Sequence, residues 1–228
     1  MRKTPRRNWW MASRREEPQR RYLSAVLRHV SFDGWSVRAL KHAARDLGEE
    51  VEAVRQALPG GASGWVGAFI KAADQDMLGA LAQQDLESLK IREQIALAVR
   101  LRIEAVAPYR EAVRRGIAVH ALPFNAAHAF RSLYGTVDAI WAGIGDTSTD
   151  FNFYTKRVLL AGVYSSTLLY WLDDHSDGYV DTWSFLNRRI ENVMGIQKVR
   201  GRVDGLAKRM SKLASRGAQL SPWRRRPA

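Results

Sequence analysis

The sequence predicts an all-α fold, on three observations. Apolar residues recur at helical spacing along most of the chain. No stretch of useful length alternates polar and apolar residues as a strand does. Two apolar helices flank the turn Ser176-Asp177-Gly178 near the end of the chain. The length of 228 residues fits one domain, or one domain with an appendage. A hydrophobic fraction of 46% can supply a core, and the absence of cysteine excludes disulfides and thiolate chemistry.

The elements follow in chain order. Tyr22, Leu23, Val26, Leu27 and Val30 give a helix over Arg20–Val30, stopped by Gly34. Val37, Leu40, Ala44 and Leu47 give a second over Ser36–Leu47, stopped by Gly48, and Val51, Val54 and Leu58 a third over Glu49–Leu58. Pro59-Gly60-Gly61 is a strong break. Longer amphipathic helices are expected over Gly64–Gln84, with Trp65 and Phe69, and over Leu86–Arg110, with Ile95, Val99, Ile103 and Val106. A short helix over Ala112–Leu122 ends at Pro123. Asn125 is a good cap for Ala126–Ile144, which carries Phe130, Tyr134, Val137 and Trp141.

The centre of the chain's logic is Gly145–Arg189. Val158–Leu172 is almost unbroken apolar and small residues, but it is shorter than the roughly 20 residues a transmembrane helix needs. Lys156 and Arg157 precede it and Asp173 and Asp174 follow. A helix apolar all round is buried all round. Two cations near a helix start oppose its dipole, so another need must hold them there. The next helix opens at Asp181 with Trp183, Leu186, Ile190 and Val193 on one face. This hairpin is too apolar for one small domain to cover, so it implies a dimer interface or a lipid-lined cavity.

The net charge of +13 is concentrated at the ends. Residues 1–21 carry +6 and residues 187–228 carry +10, which leaves −3 for the body. Basic ends favour an anionic partner, nucleic acid or a lipid surface. Val199, Val203, Leu206, Met210 and Leu213 form an apolar stripe among seven Lys and Arg residues between Lys198 and Arg216, a pattern suited to a membrane surface. The N-terminus lacks the apolar core of a secretory signal, and an intracellular protein with a basic arm is expected.

No catalytic motif stands up: there is no Walker loop, no G-x-G-x-x-G after a strand, no H-E-x-x-H and no G-x-S-x-G. The five histidines show no ligand spacing, so no metal is expected. The acidic turn from Asp173 aligns only partly with a calcium loop, with His175 third and Ser184 twelfth. Neither an enzyme nor a cofactor is expected.

The three N-terminal helices resemble a TetR-type helix-turn-helix unit. Its second helix-turn-helix helix would carry Glu49, Glu50 and Glu52 against Arg55, and carboxylates repel phosphate. That leaves a scaffold without DNA recognition; a TetR-type transcriptional regulator is the alternative reading. Gly145-Asp146-Thr147-Ser148-Thr149-Asp150-Phe151-Asn152, Tyr154-Thr155-Lys156-Arg157, and Asp181-Thr182-Trp183 with Phe185, Leu186 and Arg189 resemble the ubiquinone-biosynthesis lipid-binding family, coenzyme Q protein nine. Leu122-Pro123 with Asn125 adds a weaker match. The resemblance implies a TetR-like helical bundle, a hydrophobic lipid site, a homodimer, a C-terminal amphipathic membrane helix, and assistance to the hydroxylase that acts on demethoxyubiquinone. It also implies a partner surface at Asn152, Phe153, Tyr154 and Arg157. The family often has Trp where this chain has Phe153, which keeps the apolar surface but loses the indole donor.

Four segments are therefore expected: a basic disordered arm over 1–17, a helix-turn-helix-like unit over 18–60, a lipid-binding and dimerisation body over 61–194, and a basic membrane-associating tail over 195–228. Apolar periodicity nominates Trp65, Phe69, Ile95, Val99, Tyr134, Val137, Trp141, Val158 and Tyr164 as the lipid site, each of which could equally be ordinary core. The expected ligand is an isoprenoid lipid or ubiquinone precursor, taken from an anionic membrane and presented to the hydroxylase. The expected location is the bacterial cytoplasm, on the inner membrane; a mitochondrial matrix location also fits.

Overall fold

The computed structural model describes residues 9–146 and 152–193, with side chains over 19–146 and 153–193. Those residues form helices α1 (Trp9–Asp33), α2 (Val37–Leu47), α3 (Val51–Ala57), α4 (Gly61–Leu81), α5 (Ile91–Val106), α6 (Arg110–His120), α7 (Ala126–Gly143), α8 (Asn152–Asp173) and α9 (180–193). Among the described residues there is no strand, and no helix is long and apolar enough to cross a membrane. Helix α1 starts at Trp9, so its first turns fall in the stretch read as an arm over 1–17. The apolar stripe Val199–Leu213 of the tail lies outside the described residues.

Helices α1, α2 and α3 form the N-terminal unit. Leu23, Val26 and Val30 of α1 are buried with Leu40 and Ala44 of α2 and Val54 of α3. Ser36 starts α2 by accepting the Ala39 N–H on its hydroxyl. Gly48 ends it at φ 64°, the left-handed conformation that lets its N–H return to the last carbonyls. The α1–α2 pair is clasped by two polar contacts, His29 Nε2 with Asp46 and His42 Nδ1 with Asp33, each 2.8 Å.

Helix α4 runs through the middle of the body and meets α1, α5, α6 and α7. Its approach to α7 requires a glycine: a Cβ at Gly143 would stand 2.8 Å from both Leu78 and Leu81. Two sequence expectations shift here. Leu86 belongs to the turn before α5, because Glu93 accepts the Lys90 N–H and starts the helix there. Asn125 holds the cap position of α7, but its amide donates back to Val119 O at 2.8 Å and ties α7 to α6 instead.

Helix α8 is buried on one face only. Leu160, Val163, Tyr164, Thr167 and Trp171 face the core, while Tyr154, Val158 and Leu169 are exposed. Its last carbonyls have no helical partners. Arg110 donates to Trp171 O and Leu172 O, and Arg114 to Leu172 O at 2.7 Å. The turn that follows is built on Asp174, which accepts from the Ser176 N–H and hydroxyl and from the Thr182 N–H and hydroxyl. The acidic turn is thus a capped turn that starts α9. Burial works against the Asp174 charge, but those four hydrogen bonds outweigh it and hold the carboxyl at about 2.

A depressed carboxyl stabilises the fold fully above its unfolded value near 4 and loses that contribution as pH falls towards 2. Asp174→Ala is expected to cost roughly 2 kcal/mol at neutral pH. Thermal unfolding followed by circular dichroism should show the gap between variant and parent closing between about pH 4 and pH 2.

Candidate ligand cavity

A cavity of about 330 Å³ lies between α4, α5, α6, α7 and α8. Its walls are mostly apolar: Val66, Phe69 and Ile70 from α4, Val106 from α5, Val113 and Ile117 from α6, Leu133 from α7, and Leu168 and Leu169 from α8. Gly116 lets α6 come close to α4, since a Cβ there would stand 3.2 Å from Val66. Trp35 anchors α6 from the N-terminal unit by donating to Ala112 O at 3.0 Å. Leu169 is half exposed, so the cavity reaches the surface beside α8.

A small polar group interrupts the apolar wall. Arg102, 2% exposed, donates from Nε to Asp74 Oδ1 at 2.6 Å and from Nη2 to Ile70 O at 3.3 Å. Thr136 donates to the other Asp74 oxygen at 3.1 Å. The Arg102 guanidinium lies 5.9 Å from the centre of the Tyr164 ring. Burial pushes the Asp74 carboxyl up, and Arg102, by charge and hydrogen bond, opposes it. Burial also pushes the Tyr164 phenol up, so at neutral pH it keeps its proton and can donate. His120, which lines the cavity near Ser63 O, is shifted down by burial and is neutral at pH 7.

The nine nominated residues divide. Phe69 and Tyr164 line the cavity. Val99 and Val137 are fully buried core, and Ile95 packs partly buried against it. Trp65 sits under the α3–α4 turn and donates to Leu58 O at 2.7 Å. Trp141 is buried beneath Lys156, whose Nζ stands 5.3 Å from the ring centre. Tyr134 stacks on Phe130 at the surface, and Val158 is 71% exposed. Apolar periodicity marks which face is buried but not which buried face borders a void. One signal was available: Arg102 falls on the same helical face as Val99, Ile103 and Val106, and a charge on an apolar stripe marks an interior polar site.

The start of α8 is arranged differently from an open four-residue patch. Tyr154 is 70% exposed, and Phe153 is half-buried with its ring 5.2 Å from Tyr154. Arg157 is buried, donating from Nε and Nη2 to Asp138 at 3.0 and 2.6 Å, with its guanidinium 3.3 Å from the Phe153 ring centre. Lys156 reaches Asp146 at 3.0 Å. These carboxylates are the need that holds two cations at this helix start. The Asn152 side chain lies outside the described residues.

Elsewhere, His29, Asp33 and His42 bring ligand-type atoms within 4.8 Å of one another, which the sequence spacing did not show. Both rings already bond carboxylates, and the trio is accounted for as the α1–α2 clasp. In the recognition-helix position, α3 is seven residues long, with Glu52 paired to Arg55 at 3.5 Å and Glu49, just before it, 3.3 Å from Arg21.

Comparison with known proteins places the chain. The COQ9 family model matches residues 126–197. The chain is 32% identical over 188 residues to the rat protein named ubiquinone biosynthesis protein COQ9, mitochondrial, covering 79% of this chain and 60% of that one. The Xenopus tropicalis protein of the same name is 34% identical over 186 residues, covering 78% and 58%. The chain thus spans about 60% of the length of the curated relatives it matches. In structure it resembles a TetR transcriptional regulator from Nitrosomonas europaea ATCC 19718, with a TM-score of 0.65, 18% identity, and 78% and 98% of the two chains covered. That likeness shows an all-α, TetR-like fold.

Arg102→Met should cost roughly 3–5 kcal/mol in chemical denaturation, because it leaves Asp74 buried without its cation. Adding Asp74→Leu should recover most of that loss, and no recovery in the double variant would show that the two do not act as a pair.

Proposed function

We propose, from the premise that this is a COQ9-like chain on a TetR-like scaffold, that it serves ubiquinone biosynthesis as a lipid-binding accessory protein and not as an enzyme. It takes an isoprenoid quinone precursor from a membrane and presents it to the demethoxyubiquinone hydroxylase. The observation that carries this reading is the apolar cavity between α4 and α8, reaching the surface beside Leu169. A volume of about 330 Å³ suits a ring with a short stretch of chain, at the lower end of small-molecule pockets. The rest of a prenyl tail would leave through the opening.

Three further features support the reading. The exposed stripe of Tyr154, Val158 and Leu169 on α8 suits a homodimer or a partner protein. The basic, striped tail over 195–228, which carries Val199, Val203, Leu206, Met210 and Leu213, suits an anionic bilayer. The DNA-binding alternative is not favoured, because the acidic face around α3 opposes the cation–phosphate contacts on which such binding depends. The relatives are named as mitochondrial proteins. On a bacterial inner membrane or in a mitochondrial matrix, the tail would meet the same kind of surface.

Leu133→Trp tests the cavity. Filling it should strongly reduce the isoprenoid quinone that co-purifies, measured by mass spectrometry, while the helical signal stays intact. An unchanged lipid load would remove this cavity as the site. Tyr154→Ala tests the partner surface: loss of a hot-spot ring should weaken hydroxylase binding by about thirtyfold, roughly 2 kcal/mol, with the melting temperature nearly unchanged. Arg157→Ala should instead lower the melting temperature, because it strips a buried cation, stacked on Phe153 and paired with half-exposed Asp138, from the α7–α8 junction.

A further inference from the structure

The walls of the cavity are mostly apolar, yet two donors on them have no partner among the described residues. Arg102 commits Nε and Nη2 to Asp74 and Ile70 O, and among the described residues Nη1 has no hydrogen-bond acceptor. The Tyr164 hydroxyl likewise has none, although 95% of that residue is buried. Neither atom is sealed inside protein as Trp141 Nε1 and Trp171 Nε1 are. Both residues line the cavity, from α5 and α8, and the guanidinium stands 5.9 Å from the phenol ring centre. A buried donor without an acceptor is costly, so two of them on neighbouring residues that line an apolar void mark a place for a ligand oxygen.

We propose that Arg102 and Tyr164 form the head-reading end of the cavity: they donate to a neutral acceptor oxygen, a ring carbonyl or its equivalent, on a ligand whose remainder lies along Ile117, Leu133 and Leu168. This rests on the lipid-cavity reading and adds which part of the ligand is read, and by what. The acceptor is neutral because Asp74 already balances the guanidinium at 2.6 Å, so this end adds little net charge. A carboxylate or phosphate buried here would lack a full counter-charge. Thr136 and Ile70 O fix the Asp74–Arg102 pair in place, so the Nη1 donor is held before a ligand arrives. The Tyr164 ring is held by its own burial, and removing its hydroxyl leaves the packing unchanged.

The experiment uses the full chain and three probes of similar size: a benzoquinone with a two-isoprene tail, a ten-carbon fatty acid, and decylbenzene, which has no acceptor oxygen. Binding is read by quenching of tryptophan fluorescence for the quinone, and by its displacement for the other two. The quinone should bind most tightly. Tyr164→Phe should weaken the quinone about tenfold and leave decylbenzene unchanged, with the melting temperature held within a degree or two. Arg102→Lys, which keeps the charge on Asp74 but loses the planar fork, should weaken the quinone as well. Equal quinone binding by parent and Tyr164→Phe would overturn the assignment while leaving the lipid cavity standing. Tightest binding of the fatty acid would overturn the neutral-acceptor assignment. Failure of the parent to bind any of the three would overturn the lipid reading itself, and this inference with it.

Discussion

The contact between Arg102 and Asp74 is the constraint on which the body of this protein depends. It joins α5 to α4, and Thr136 extends it to α7, so three of the five helices around the cavity share one buried polar group. Two ions removed from water need each other and every available hydrogen bond. Helices α4, α5 and α7 therefore cannot slide into the space between them without separating that group. An all-apolar core of this size would be free to collapse. The polar tie keeps the wall where it is and leaves a void.

The other side of the cavity depends on α8, and both ends of α8 are fastened by charge. At its start, Arg157 reaches Asp138 within α7, and Lys156 reaches Asp146 just beyond that helix. At its finish, Arg110 and Arg114 cap the last carbonyls, and Asp174 turns the chain into α9. Helix α8 can then present Tyr164 and Leu168 inward and Tyr154, Val158 and Leu169 outward without relying on burial of both faces.

Much of this was legible in the sequence. The helical periods gave the all-α class and nearly every element. Gly34, Gly48 and the Pro59-Gly60-Gly61 break mark real ends, with φ of 69°, 64° and 90° at Gly34, Gly48 and Gly60. The acidic turn, whose match to a calcium loop was only partial, is a turn capped by Asp174. The cavity walls were mostly illegible, and the reason is physical. A residue facing a void and a residue facing another side chain have the same apolar character and the same spacing, so Val99 and Val137 looked as eligible as Ile117 and Leu168. What separates them is how close the helices come, and that is set by distant small residues such as Gly116 and Gly143. The four-residue surface patch was only partly legible for a related reason. Arg157 and Asp138 are nineteen positions apart, and no local pattern reveals that they pair.

The two cations at the start of α8 show how these constraints act together. Placed there, they oppose the helix dipole, an unfavourable term of about 0.3–1 kcal/mol each near a surface. Asp138 and Asp146 offset it, and the Phe153 and Trp141 rings beneath them add cation–π contacts. The geometry has a consequence for neighbouring side chains. Arg157 draws Phe153 inward by stacking on it, and Tyr154, one residue on and about 100° round the helix, is left facing out. The same ion pair that fixes α8 as a cavity wall thus decides which aromatic ring reaches the surface. In the structure, wall and exposed ring are two sides of one helix, held by one charge pair whose arginine is buried.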